Sequence, residues 1–161
     1  MYQCILVPID GSPTSAKGLD EAIKLARLTG ARLRLLHVLD VLNFATGFET
    51  YAAYAGEIVP LMREAGGEIL ARGQARVAAA GLAADTSLIE SNGPRTSDIV
   101  VEQARLCGAD LIVIGTHGRR GVGRVLMGSD AEQILRTAPV PVLLVRAPQV
   151  EGDAGTATTA R

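Results

Sequence analysis

Strand signals recur five times along this chain with a helical pattern or a long loop-and-helix segment between them, which predicts an α/β fold: a single doubly wound domain with a five-stranded parallel sheet flanked by helices. Two observations carry that reading. The strand candidates are short and apolar, and the fourth, Leu111 to Ile114, is apolar throughout, as expected when helices cover both faces of a parallel sheet. The intervening segments space their apolar residues at helical intervals. The chain has 161 residues, enough for one domain with a core and too few for two.

The elements follow in order. Cys4 to Ile9 is an apolar run that ends in Pro8, Asp10 and Gly11, and reads as the first strand. Ser12 and Pro13 suit an N-cap and first helical residue, because proline lacks an N–H where none would be paired. Leu19, Ala22, Ile23 and Ala26 then form one helical face, and Gly30 suits the left-handed stop. Leu33 to Val38 is the second strand, closing at Asp40. Phe44 to Gly56 lacks periodicity and reads as a loop or lid; Glu57 to Ala80 reads as a long helix loosened by Gly66, Gly67 and Gly73. Thr86 to Glu90 is the third strand, and Asn92, Gly93 and Pro94 make a turn. Ile99, Val100, Ala104 and Leu106 form the next apolar face. Ser129 to Thr137 is a short helix and Val142 to Val145 the fifth strand. The domain is expected to span residues 1–147. The segment 148–161 is small and polar, with too little apolar surface to offset its ordering entropy, and is expected to be disordered.

Composition narrows the function classes. Apolar residues make up 48% and the formal charge is −1, without a concentrated basic face, which argues against a nucleic-acid binder. Aromatics are only 3%, so base-stacking platforms are missing too. No apolar run is long enough to suggest a membrane span, and Met1 to Asp10 does not read as a signal peptide. A cytoplasmic protein is the expectation. Cys4 and Cys107 fit neither a disulfide framework nor a zinc pattern, and read as buried core thiols.

In doubly wound sheets, ligands sit beyond the carboxyl ends of the strands where the winding reverses. The first strand ends in Pro8-Ile9-Asp10-Gly11 and the fourth in Gly115-Thr116-His117-Gly118, which would share one crevice if those strands are neighbours. The loop from Gly115 to Ser129 is neither a Walker P-loop nor a dinucleotide fingerprint: no Gly-Lys-Ser/Thr follows, and Leu126 stands where a third glycine belongs. Its glycines let backbone N–H groups approach an anion and adopt positive φ. Ser129 opens a helix whose first N–H groups and dipole favour negative charge. Arg119, Arg120 and Arg124 either add positive field or form a solvated face, and His117 either leans on a phosphate or faces solvent. Taken singly, each glycine could instead serve a turn or tight packing. Asp10 could cap a turn, and His37, inside an apolar strand, reads as a hydrogen-bonded core histidine.

The spacing Gly115-x2-Gly118-x9-Gly128-Ser129 resembles the ATP-binding signature of the universal stress protein family. The resemblance extends to Val7-Pro8-Ile9-Asp10-Gly11-Ser12, Leu36-His37-Val38-Leu39-Asp40, Asp110 to Gly115 and Ala138-Pro139-Val140-Pro141 through Val145. It implies the strand order 3-2-1-4-5, which sets the first and fourth strands side by side. It also implies an adenine nucleotide such as ATP, with Mg2+ or Mn2+ as an optional companion. Asp10 would meet the ribose hydroxyls or the phosphate-bound metal, and Val38 would line the adenine pocket through its backbone. Gly115, Gly118, Gly128 and Ser129 would hold the phosphates, and Pro8, Ile9, Ile114, His117 and Arg119 would supply walls or backbone groups. Asp130 joins this set from the first turn of the phosphate-facing helix: turned outward it complements the helix dipole, turned inward it favours a metal-bridged ligand. The resemblance further implies a homodimer formed by antiparallel pairing of the last strand, with Val142 and Val145 in the interface.

Three classes of function follow. The leading one is a stress-response regulatory module that binds nucleotide and hydrolyses it slowly or not at all, since the loop carries no evident Glu or Gln base and no catalytic residue is assigned. The second is a family member that acts through protein contacts without nucleotide. The third, an ATP pyrophosphatase, needs Ser-Gly-Gly-x-Asp-Ser after the first strand, where this chain has Pro8-Ile9-Asp10-Gly11-Ser12-Pro13.

Overall fold

The computed structural model describes residues 1–41, 51–116 and 128–146. The expected C-terminal tail and most of the Gly115 to Ser129 loop lie outside them. Among the described residues nine elements alternate: β1 (Cys4–Pro8), α1 (Pro13–Thr29), β2 (Arg32–Asp40), α2 (Tyr51–Ala79), β3 (Ala84–Ser91), α3 (Thr96–Leu106), β4 (Leu111–Gly115), α4 (Ser129–Thr137) and β5 (Val142–Val145). The strands form one parallel sheet in the order β3-β2-β1-β4-β5, as expected.

Local chemistry sets the ends of α1. Ser12 is its N-cap and accepts the Ser15 N–H at 3.1 Å, with Pro13 at the first helical position. Gly30 closes it at φ 74°, donating its N–H to the Ala26 carbonyl, a conformation that costs glycine little. Leu19, Ala22, Ile23 and Ala26 are all buried.

Alternation along the strands builds two cores. Ile5, Val7, Leu33, Leu35, Leu111 and Val113 face α1 and α2. Cys4, Leu6, Leu36, Ile112 and Ile114 face α3 and α4. Burying each such aliphatic side chain contributes about 1.5–3 kcal/mol, so the three inner strands β2, β1 and β4 anchor the domain.

Four expectations need correction. Helix α2 begins at Tyr51, inside the segment read as a loop, and Pro60 lies within it. Gly66 and Gly73 do not loosen that helix; they let it lie close on the sheet. A Cβ at Gly66 would come within 2.9 Å of His37 Cδ2, and one at Gly73 within 2.8 Å of Ile9 Cδ1, whereas Gly67 faces open space. Leu106 is 71% exposed, because the buried face of α3 runs through Ile99, Val100, Val101 and Ala104. Cys4 is buried, but Cys107, at the end of α3, is only half-buried.

Candidate functional site

The winding reverses between β1 and β4, since β1 leads through α1 to β2 on one side and β3 leads through α3 to β4 on the other. The ends of the first and fourth strands, named together from sequence, are therefore neighbours at the switch point. Leu6 pairs with Ile112, and continuing that parallel register brings Pro8 level with Ile114. Pro8 pairs with Leu36, and the Ile9 N–H donates to the Leu36 carbonyl at 2.8 Å, so Val38 stands beside the point where β1 passes into Asp10.

Asp10 is half-buried and ordered by its own turn. Its Oδ1 accepts the Ser12 N–H at 2.9 Å, and its N–H donates to Ser15 Oγ at 3.4 Å. Gly11 turns at φ 79° in between. The turn-capping role is thus present, just past the carboxyl end of β1. His37 is 5% exposed, as expected of a core histidine. Its Nδ1 lies 2.6 Å from the Ile9 carbonyl, which can only accept, so Nδ1 carries the proton. That bond fixes the last backbone unit before Asp10.

The other wall comes from β4 and α4. The Thr116 N–H donates to the Val145 carbonyl at 2.9 Å, and the Gly128 N–H donates to the Thr116 carbonyl at 2.8 Å. The Gly115 to Ser129 loop therefore leaves β4 and enters α4 at adjacent points. Gly128 is the N-cap of α4 and Ser129 its first residue. Ser129 and Asp130 are both exposed, and Asp130 and Glu132 place acidic groups in the first turn, where the helix dipole favours them.

The glycines at the two ends of the loop are not left-handed: Gly128 has φ −61°, and Gly115 is absent from the positive-φ glycines of the described residues. Gly115 is instead required by close packing, since a Cβ there would lie 2.8 Å from the backbone of Thr14 in α1. Gly18 of α1 completes this approach, with its Cβ position 3.4 Å from the Gly115 nitrogen. Sequence reasoning missed Gly18, although a glycine inside an amphipathic helix is a signal for close packing. It also missed the Arg63–Glu90 ion pair at 2.6 Å, located at the carboxyl end of β3. The Arg63 hydrogen bond, over the opposing effect of burial, holds the Glu90 carboxyl below its ordinary range. His117, Gly118 and Arg119, with Arg120 and Arg124, lie outside the described residues. Among the described residues no helix is long and apolar enough to cross a membrane.

The fold and these strand ends define a doubly wound α/β domain with its candidate site at the topological switch point. The model of the Universal stress protein family matches residues 1–146, and the chain belongs to that family. It is 34% identical over 151 residues to a universal stress protein of Methanocaldococcus jannaschii, covering 94% of this chain and 86% of the relative. Among solved structures, it is 36% identical to a universal stress protein family member from Burkholderia pseudomallei, with TM-score 0.72 and coverage of 91% and 97% of the two chains. A universal stress protein crystallised in complex with cAMP is 25% identical, with TM-score 0.65 and coverage of 89% and 97%.

Proposed function

We propose that this stress-response family member binds ATP, or a related adenine nucleotide, in the crevice outside β1 and β4 and acts as a cytoplasmic regulatory module. The observation that carries the reading is the meeting of Asp10, Val38 and the start of α4 at one switch point, with the Thr116–Gly128 bond joining the two ends of the glycine-rich loop. The adenine moiety lies along Val38, the ribose or a phosphate-bound Mg2+ or Mn2+ meets Asp10, and the phosphates take Gly115, Gly118, Gly128 and Ser129. Pro8, Ile9, Ile114, His117 and Arg119 supply walls or backbone groups, and Asp130 belongs to the same set from the first turn of α4. A carboxylate held in place by the Ser12 N–H suits such a hard cation. The related structure holding cAMP supports an adenine nucleotide in this fold.

A second reading, action through protein contacts without nucleotide, draws support from Gly115, whose missing side chain is explained by Thr14 alone. Ligand linkage separates the two. The protein is first stripped of bound small molecules by denaturation, with mass spectrometry of what is released, and then refolded. ATP with magnesium at about 100 times its dissociation constant stabilises the parent by about 2.7 kcal/mol. Gly118→Val should fold, at a cost of about 1–2 kcal/mol at most, and gain almost nothing from ATP. Equal shifts in both proteins would place the ligand elsewhere, and no shift in either would favour the protein-contact reading.

Turnover is expected to be slow, because the site has no assigned general base. Phosphate release should stay below roughly one per minute, against a median of about 10 per second for enzymes. Per-second rates lost in Asp10→Ala would make this an enzyme.

A further inference from the structure

At the opposite end of the sheet the fold brings together two thiols far apart in sequence. Cys4 opens β1 and is 2% exposed; Cys107 caps the end of α3 and is half-buried. Both line a cavity of about 260 Å³ together with Arg32, Arg34, Asp85 and Leu106. The Cys4 thiol donates to the Cys107 carbonyl at 3.8 Å, and the Cys107 thiol donates to the Ala104 carbonyl at 3.7 Å. The segments are also strapped together. Cys4 N–H donates to Asp110 Oδ1 at 3.0 Å, and Asp110 N–H returns to the Cys4 carbonyl at 3.0 Å. Gly108, at φ 62°, provides the turn between Cys107 and that strap.

We propose that Cys4 and Cys107 are a redox pair that closes to an intramolecular disulfide when the protein meets a hydroperoxide. Cys107, the more accessible thiol, reacts first. Its sulfur attacks one peroxide oxygen, the O–O bond breaks, and the other oxygen leaves as an alcohol or water carrying the proton that the Cys107 thiol gives up. Cys107 is then a sulfenic acid. The Cys4 sulfur attacks the Cys107 sulfur, the S–O bond breaks, and water leaves carrying the Cys4 proton. Two thiols have been oxidised by two electrons and one hydroperoxide reduced.

The surroundings suit these roles. Burial first, and then the neighbouring Cys107, push the Cys4 thiol above its ordinary pKa while Arg32 opposes them, which suits Cys4 as the second thiol to react rather than the first. Arg32 donates to the Cys107 carbonyl at 3.0 Å, and the buried Nε of Arg34 has no hydrogen-bond partner among the described residues. Both place cationic charge around the cavity where a peroxide oxygen leaves as an anion. In a reducing compartment, a disulfide of this kind is transient and works as a sensor.

The test exposes the folded full-length chain to hydrogen peroxide, alkylates remaining thiols, and digests it for mass spectrometry. A peptide linking Cys4 to Cys107 is expected, with loss of both alkylatable thiols, a higher melting temperature and reversal of all three by dithiothreitol. Cys107→Ser should abolish the link and leave Cys4 slow to alkylate. Cys4→Ser should strand Cys107 as a sulfenic acid that dimedone traps; where that buried substitution prevents folding, the parent and Cys107→Ser decide alone. Two thiols still alkylatable, oxidation of Cys107 to sulfinic acid without a cross-link, a cross-link only between chains, or one formed only in urea would each overturn the proposal.

Discussion

Asp110 shows how a single side chain joins distant parts of the sequence. Its carboxylate accepts the Gln3 N–H at 2.7 Å and the Cys4 N–H at 3.0 Å, closing the start of β1 onto the start of β4. Burial alone would push this carboxyl up, but the N–H groups of Cys4, Gln3 and Asp110 itself outweigh it and hold the pKa below its ordinary 3.8. A carboxyl whose pKa falls on folding stabilises the protein above the unfolded value and loses that contribution as pH drops through the folded one. Asp110→Asn should therefore cost on the order of 1 kcal/mol at pH 7. The gap between parent and variant should close as pH falls from about 4 to about 2, where the parent's carboxyl is also neutral. Urea unfolding at a series of pH values measures both, and a gap that stays constant in acid would remove the charge from the explanation.

At the scale of elements, the approach of α1 to the end of β4 is set by glycines. The obstacle to a side chain at Gly115 is the backbone of Thr14, which cannot swing aside as a rotamer can. Gly115→Ala should lower stability by about 1–3 kcal/mol through overpacking. Gly67→Ala, on the open face of α2, should raise it by about 0.8–1 kcal/mol from helix propensity alone. Thermal melts of the two variants should move in opposite directions; movement in the same direction would contradict the packing. These two glycines also mark what sequence could and could not convey. The bounds of α4 and β5 were legible because Gly128-Ser129 and the prolines at 139 and 141 punctuate them sharply. The start of α2 was not, since Tyr51 to Gly56 has no apolar period and Pro60 suggests a helix opening later than it does. The adjacency of the β1 and β4 ends, on which the candidate site rests, could be read from strand ends and a rule about switch points. The Gly18–Gly115 approach and the meeting of Cys4 with Cys107 depend on which helix lands on which strand, and one-dimensional periodicity does not encode that.

At the scale of the whole molecule, the two edges of the sheet differ in kind. Edge strands expose unpaired N–H and C=O groups, and proteins ordinarily blunt them with charge. β3 does so: the charged Asp85 and Glu90, with the polar Thr86, are exposed along it. β5 does not: it is Val142-Leu143-Leu144-Val145, only partly covered, with Leu143 37% exposed. An uncharged apolar edge suits pairing with a second copy, and antiparallel pairing across a two-fold axis lets one strand satisfy its own twin. We therefore expect a homodimer joined through β5, with Val142 and Val145 in the interface. Sedimentation at micromolar concentration should give twice the chain mass. Val142→Lys should shift it toward monomer by placing like charges against each other across the axis. Because Val142 also packs against the α3–α4 core, Leu143→Lys serves as the second variant, at a position already open to water. Circular dichroism establishes that each variant is folded. A monomeric parent, or folded variants that both remain dimeric, would refute pairing through this edge.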